Sequence, residues 1–155
     1  MPQMNKGGKY IFGKSRIRED GTIRFPEEAV REYDIAAEGK IYLFTGSKST
    51  GGFCVSRRGL LAPSKLGHIL SDLPELSDYT IKAGTFLKYK GRAYAWTEIT
   101  EDGTIVLCES MLAYLHIRQG MKLLSIRSSD IAFTMGAFGP LVEESLKHDD
   151  AIPVY

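Results

Sequence analysis

Residues 17–23 read IREDGTI, and residues 99–105 read ITEDGTI, 82 positions further along a chain of 155 residues. The match continues beyond these stretches, and a shift of two positions then aligns Phe53 with Phe133. An internal repeat of this length indicates two copies of one structural unit. Each copy is short for burying a core of its own, so we expect the two copies to share one core.

The repeat divides the chain into five predicted segments. A chain of this length is ordinarily one domain, and 43% apolar residues suffice for a packed core. The segments are a leader over residues 1–8, a first repeat over 9–71, a linker with one strand over 72–91, a second repeat over 92–148 and a tail over 149–155.

Both repeats show the same order of predicted elements, which makes the expected fold class mainly β with short helices. Alternating apolar residues between turn residues predict the strands. They lie at 9–12, 15–17, 22–25, 40–44, 53–57, 84–90, 94–99, 104–107, 121–127 and 130–135. Proline or acidic residues ahead of helical periodicity predict the helices. The first helix begins at Pro26 and ends before Gly39, and the other three cover 60–70, 109–115 and 141–148.

The formal charge of +1 is unevenly distributed. Residues 1–71 hold twelve Lys and Arg against seven acids, a net charge of +5, while the rest of the chain has a net charge of −4. Such an asymmetry predicts one surface that attracts anions and another with a different task.

Two cysteines, Cys54 and Cys108, occupy different places in the two repeats, so a disulfide framework is not expected. Reduced thiols fit an intracellular protein. The sequence shows no N-terminal basic-then-apolar signal and no apolar run of membrane length. We therefore predict a cytoplasmic protein that does not bind membranes.

A longer pattern surrounds the first turn. It consists of a turn glycine, alternating apolar residues and a proline at Gly21–Pro26, then a short helix, Ile35, Gly39 and a β-hairpin over 40–57. This pattern resembles the AbrB/SpoVT/MazE group of swapped-hairpin DNA-binding domains. Two copies in one chain resemble the arrangement of MraZ-like proteins. The resemblance implies two tandem swapped-hairpin repeats interlocked into a double-split β-barrel.

Several positions depart from the group's pattern. The group usually places an arginine directly after the turn glycine, where this chain has Thr22 and Thr104. Arg18 occupies a position where MraZ-like proteins carry an acid, and Cys108 replaces the proline in the second repeat. The resemblance is therefore to the group rather than to MraZ itself.

Strand alternation predicts which side chains face the barrel interior and which face outward. The apolar positions expected inside are Ile17, Ile23, Phe25, Ile99, Ile105 and Leu107. The opposite face carries Arg16, Arg18, Thr22 and Arg24 in the first repeat, and Glu98, Thr100, Thr104 and Val106 in the second. Guanidinium groups suit phosphates and guanine edges, so the first repeat is expected to face nucleic acid.

The predicted function is a DNA-binding transcription regulator whose first repeat contacts duplex DNA. The resemblance maps DNA-facing bases onto Arg16 and Arg31, and alternation adds Arg18 and Arg24. The complete set of candidate DNA-binding residues is Arg16, Arg18, Arg24, Arg31, Thr22 and Lys14. Because only one repeat is basic, we expect each chain to bind weakly and a homodimer or larger oligomer to present two basic faces to a two-fold site.

Two alternatives remain open. The arginines could simply pair with Glu19, Asp20, Glu27 and Glu28 on a solvated face, since charge runs commonly do so. The barrel could also be an oligomerisation or small-ligand interaction module that does not bind DNA. Three histidines without metal-ligand spacing, and paired acids in exposed turns, predict no metal, no cofactor and no enzyme activity.

Overall fold

In a computed structural model that describes residues 10–147 and 152–155, the described chain forms nine strands and six helices. The strands are β1 Ile11–Arg16, β2 Thr22–Arg24, β3 Lys40–Thr45, β4 Phe53–Ser56, β5 Leu87–Tyr89, β6 Arg92–Glu98, β7 Thr104–Val106, β8 Lys122–Arg127 and β9 Phe133–Gly136. The helices are α1 Glu27–Tyr33, α2 Arg58–Leu61, α3 His68–Asp72, α4 Pro74–Ser77, α5 Glu109–Leu115 and α6 Pro140–Leu146. The expected class, mainly β with short helices, is confirmed.

Seven strands form one antiparallel sheet in the order β1-β8-β9-β4-β3-β6-β5, and β2 pairs with β7 in a separate two-stranded ribbon. The first strand of each half pairs with the hairpin of the other half. Strand β1 pairs with β8 of the β8–β9 hairpin, and β6 pairs with β3 of the β3–β4 hairpin. These long-range pairings make the two halves depend on each other.

The register joins positions that are equivalent in the sequence repeat. Ile23 lies opposite Ile105 in the ribbon, and Cys54 lies opposite Thr134 where the two hairpins meet. The Cys54 thiol and the Thr134 hydroxyl are also within hydrogen-bond distance, at 3.4 Å. Equivalent strands therefore have equivalent partners on both sides of the sheet.

The main core lies between the seven-stranded sheet, the β2–β7 ribbon and helices α1 and α5. All six apolar positions that alternation assigns to the interior are buried there: Ile17, Ile23, Phe25, Ile99, Ile105 and Leu107. Both halves contribute residues to this one core, as the repeat predicts.

The outer face of the sheet has two separate helical covers. Helices α2, α3 and α4 pack over β3, β4 and β6 and bury Leu61, Ile69 and Leu76 among the aromatic residues there. Helix α6 and the segment around Ile152 pack over β1 and β8, where Ile126 is buried. The centre of this face lies between the two covers.

Two sequence-based expectations about strands and helices need correction. The predicted strands at 9–12 and 15–17 are the single strand β1, which continues past a register shift between Ile11 and Gly13. The predicted helix over 60–70 is divided into α2 and α3. Pro63 cannot continue the helix, and a Cβ at Gly67 would lie only 2.1 Å from the carbonyl oxygen of Ala62.

The remaining differences concern the connecting segments. The linker over 72–91 contains the predicted strand as β5 but also helix α4. The tail is partly described, and Pro153–Tyr155 runs along the free edge of β1 through backbone hydrogen bonds to Lys14 and Arg16. The predicted leader over 1–8 lies outside the described residues, as do Lys9 and residues 148–151.

Candidate nucleic-acid interface

The turn that opens the repeat is built by its own side chains. Gly21 adopts a φ of 85°, a conformation that favours glycine. The backbone N–H of Thr22 donates to the Asp20 carboxylate over 3.0 Å, and the Thr22 hydroxyl donates to the same oxygen over 2.7 Å. These hydrogen bonds from Thr22 lower the pKa of Asp20. Thr22 therefore shapes the turn that holds Arg18, whose guanidinium lies 3.4 Å from the Thr22 hydroxyl.

The pairing of β1 with β8 brings a cation of the second half beside the arginines of the first. Arg16 lies directly opposite Lys122. Both side chains are exposed, and opposite residues of an antiparallel pair share one face of the sheet. Two like charges therefore face each other at the end of β1.

The turn over 118–121 adjoins the same place. Its Gly120 N–H donates to the Ile17 carbonyl over 2.7 Å, and the Ile17 N–H donates to the Met121 carbonyl over 2.9 Å. The exposed Arg118 belongs to this turn. We name the four exposed cations Arg16, Arg18, Arg118 and Lys122 the basic corner.

Two residues of the basic corner, Arg16 and Arg18, line a surface depression of about 540 Å³ together with Ile17, Glu19, Gln119 and Gly120. Sequence reasoning did not identify Arg118 or Lys122, because both belong to the repeat with a negative net charge. The resemblance could have indicated this position for Lys122, since an exchange of hairpins would bring the start of β8 beside the end of β1.

Arg24 and Arg31 lie away from the basic corner, near the second turn. The Arg24 Nε–H donates to the Asp102 carbonyl over 3.3 Å. Arg31 is exposed on α1. Its neighbour Val30 packs against the second turn, where it occupies the space that a Cβ on Gly103 would need. The six predicted residues therefore do not form a single cluster.

Lys14 is placed differently from the other candidates. Its exposed fraction is only 5%, and the Pro153–Tyr155 segment forms backbone hydrogen bonds with it along β1. A phosphate would have no access to a side chain buried in this way, so we leave Lys14 out of the interface proposed below.

Ion pairs in the described part of the chain involve other residues than the predicted arginines. Arg57 pairs with Glu38 at 2.8 Å, and Arg127 pairs with Glu32 through two nitrogens. Among the described residues, no ion pair joins Arg16, Arg18, Arg24 or Arg31 to a carboxylate. The guanidinium groups of the basic corner are therefore available to an external anion.

The equivalent corner of the second half has the opposite character. Glu98 occupies the place of Arg16 and lies opposite Lys40, so unlike charges face each other there. The ammonium of Lys40 also lies 5.1 Å from the centre of the Tyr79 ring. We name the exposed residues Glu98 and Thr100, with the half-buried Lys40, the neutral corner.

The second turn repeats the backbone chemistry of the first but not its charge. Thr100 donates its hydroxyl to Asp102, and the Thr104 N–H donates to the Thr100 hydroxyl over 3.0 Å. Hydrogen bonds from Thr100 and Thr104 lower the pKa of Asp102. On the ribbon, Val106 has an exposed fraction of 54% at the position equivalent to Arg24.

Other kinds of site find no support in the described residues. They contain no group of three or more His, Cys, Asp and Glu side chains that could hold a metal ion. Within 10–147 and 152–155, no helix combines the length and apolarity needed to cross a membrane. No protein-family model matches this chain, and no curated protein matches it.

Proposed function

We propose that this protein is a DNA-binding transcription regulator of the AbrB/SpoVT type that contacts duplex DNA with the basic corner. The observation that carries the proposal is the juxtaposition of Arg16 and Lys122. Like charges directly opposite each other destabilise a sheet. A bound phosphate would relieve this repulsion, whereas in the free protein the pair only costs stability.

The strand topology supports the same proposal. The first strand of each half pairs with the hairpin of the other half, which is the exchange that a swapped-hairpin barrel requires. The Gly21–Pro26 pattern lies on β2 and the residues flanking it, next to the basic corner. The barrel proposed here therefore has its specific sequence signature and its exposed cations at one end.

The chemistry of the corner suits phosphates first and bases second. Arg16 and Arg18 present planar guanidinium groups that donate paired hydrogen bonds to phosphate oxygens. Lys122 adds a mobile point charge, and Arg118 extends the cationic surface into the neighbouring turn. If four cations each neutralise one phosphate, log affinity falls by about 3 to 4 units per log unit of salt.

One chain has one basic corner, and its neutral corner places Glu98 where a second phosphate would have to bind. We therefore propose that the protein acts as a homodimer or larger oligomer, in which two basic corners meet two half-sites. The proposal implies a cytoplasmic location, and the free thiols of Cys54 and Cys108 agree with a reducing compartment.

The test is the affinity for a random DNA duplex, measured by fluorescence anisotropy over a series of salt concentrations. We expect the wild type to bind with a steep salt dependence. Changing Arg16→Ala together with Arg18→Ala should lower affinity at low salt and reduce the slope by about 1.8, since each phosphate contact contributes about 0.9. The matched control Lys82→Ala removes an exposed cation of the linker and should change neither quantity.

Absence of duplex binding even at low salt would refute the proposal and favour an interaction module. Equal slopes for the wild type and the Arg16/Arg18 variant would remove the basic corner from the interface. The oligomer is tested separately by sedimentation of the protein with the duplex. Tight binding by a form that sediments as a monomer would contradict the dependence on oligomerisation.

A further inference from the structure

A cavity of about 590 Å³ lies at the centre of the outer sheet face, between the two helical covers. Its floor comes from the four central strands, including Phe44 on β3 and Ile126 on β8. Leu66, between α2 and α3, closes one side, and Leu141 of α6 closes the other. The volume falls within the range of about 300–1,000 Å³ that is typical of small-molecule sites.

The floor of the cavity is apolar and uncharged. Phe44 and Ile126 are each 4% exposed. Across the sheet, Cys54 lies between Phe44 and Thr134, and Thr134 lies between Cys54 and Ile126. Burial raises the pKa of Cys54, so this thiol stays protonated at neutral pH. A compact apolar group would remove this surface from water at a gain of about 25 cal/mol per Å².

Hydroxyl groups from both hairpin turns surround the floor. Ser47 and Thr50 belong to the β3–β4 turn, and Ser128 belongs to the β8–β9 turn. The Ser47 hydroxyl lies 3.1 Å from that of Thr50, and Ser128 is hydrogen bonded to Thr134. Thr50 also anchors the α6 cover, since its carbonyl accepts the N–H groups of Ala137 and Phe138 over 2.8 and 3.0 Å.

A single cation stands at the rim. The Arg92 guanidinium lies 5.7 Å from the centre of the Phe44 ring, and Arg92 lines the cavity. No Asp or Glu is among the lining residues in the described part of the chain. No ion pair among the described residues involves Arg92 either. The site therefore combines an apolar floor, neutral hydroxyls and one unneutralised positive charge.

We propose that this cavity binds a small monocarboxylate with a compact aromatic or branched aliphatic body. The body would cover the floor beside Phe44 and Cys54, the carboxylate would accept paired hydrogen bonds from Arg92, and the turn hydroxyls would satisfy its remaining lone pairs. A single guanidinium balances one negative charge. A dianion would leave charge uncompensated against an apolar floor, which is costly.

The site is independent of the basic corner, and the inference stands whether or not the chain binds DNA. A ligand in this position would touch both helical covers at once. It would therefore link the segment between α2 and α3 of the first half, through Leu66, to α6 of the second.

The experiment uses benzoate as the probe, with benzamide as its neutral isostere and benzylamine as its cationic counterpart. Binding is followed by amide chemical-shift changes of the isotope-labelled full chain. We expect benzoate to bind with a dissociation constant of about 1 mM, as suits a ligand of about nine non-hydrogen atoms. The shifts should include the amides of Ser128, Ala132 and Thr134. Benzamide should bind about fivefold more weakly, and benzylamine more weakly still.

Arg92→Gln tests the charge, because Arg92 is exposed and its replacement leaves the core intact. The variant should weaken benzoate binding about fivefold to tenfold and abolish the preference for benzoate over benzamide. Lys82→Gln, which removes a cation that is not among the lining residues, should bind benzoate like the wild type. Three outcomes would overturn the proposal: equal binding of benzoate and benzamide to the wild type, shifts centred on the basic corner, or no binding at about ten times the expected dissociation constant.

Discussion

The two corners of this molecule occupy equivalent positions of the sequence repeat but differ in electrostatics. In the basic corner, Arg16 faces Lys122 across the β1–β8 pair, so like charges meet. In the neutral corner, Glu98 faces Lys40 across the β6–β3 pair, so unlike charges meet. The opposite charges of Glu98 and Lys40 in the neutral corner are the arrangement expected of a protein without a bound partner, because they attract each other. The like-charge pair of the basic corner is the observation from which we propose that an external anion binds there.

The shared parts of the two halves show what this difference leaves unchanged. Gly21 and Gly103 both have positive φ angles, and each precedes a short strand that buries an isoleucine, Ile23 or Ile105. The backbone conformation of the turns requires the two glycines, and packing in the common core requires the two isoleucines. The exposed residues are free of both constraints, so a functional difference between the halves is expected at those positions.

The largest expected effect concerns the core on which both corners depend. Ile23→Ala and Ile105→Ala should each lower the free energy of unfolding by about 2–5 kcal/mol, because both side chains are buried opposite each other in one core. The measurement is urea unfolding followed by the fluorescence of Trp96. Val106→Ala, exposed on the same ribbon, is the control and should change stability by no more than about 0.5 kcal/mol. A large loss for only one of the two isoleucines would show that the halves have separate cores.

The next effect tests the basic corner by giving it the charge of the neutral one. Arg16→Glu should raise the free energy of unfolding by about 0.2–1 kcal/mol, since it would place an acid opposite Lys122. The same change should weaken duplex binding by about tenfold or more at low salt and reduce the salt slope by at least about 0.9. Arg16→Gln is the matched control for loss of charge without inversion. Unchanged DNA affinity in Arg16→Glu would break the functional contrast between the corners.

The reverse change gives the neutral corner the charge of the basic one. Glu98→Arg should create a second like-charge pair, opposite Lys40, and increase the salt slope of DNA binding by about 0.9. Glu75→Arg, an equal change of charge on α4, is the control for net charge. If Glu75→Arg steepens the slope as much as Glu98→Arg does, the position of the charge is irrelevant and the two corners are not equivalent sites.

The smallest effect concerns the two turns. The pKa values of Asp20 and Asp102 are both lowered in the folded state, by hydrogen bonds from Thr22 and from Thr100, respectively. A lowered pKa stabilises the fold above the unfolded-state value of about 3.9, and this contribution is lost as the pH falls through the folded-state pKa. Asp20→Asn and Asp102→Asn should therefore each lower the urea midpoint slightly near neutral pH and no longer do so in acid. A deficit that persists in acid would mean that ionisation is not what stabilises these turns.

Two of the four basic-corner residues could be predicted from the sequence, and the failures at Lys122 and Lys14 share a cause. Arg16 and Arg18 are exposed beside the first turn, as alternation and the turn pattern indicate. Lys122 was not predicted, because its position beside Arg16 depends on a pairing between residues that are 106 positions apart. Lys14 has the same parity as Arg16 but is buried, because the edge of β1 is covered by a segment more than a hundred residues away.

Four properties could be read from the sequence alone: the two-part plan, the turns at Gly21 and Gly103, the buried face of each strand and the presence of short helices. These properties follow from local backbone preferences and from side-chain periodicity, which neighbouring residues encode. The pairing of the strands, the cations that come together in the basic corner and the cavity between the helical covers became apparent only from the tertiary structure. Those outcomes depend on contacts between distant parts of the chain, and many such contacts are compatible with the same local pattern.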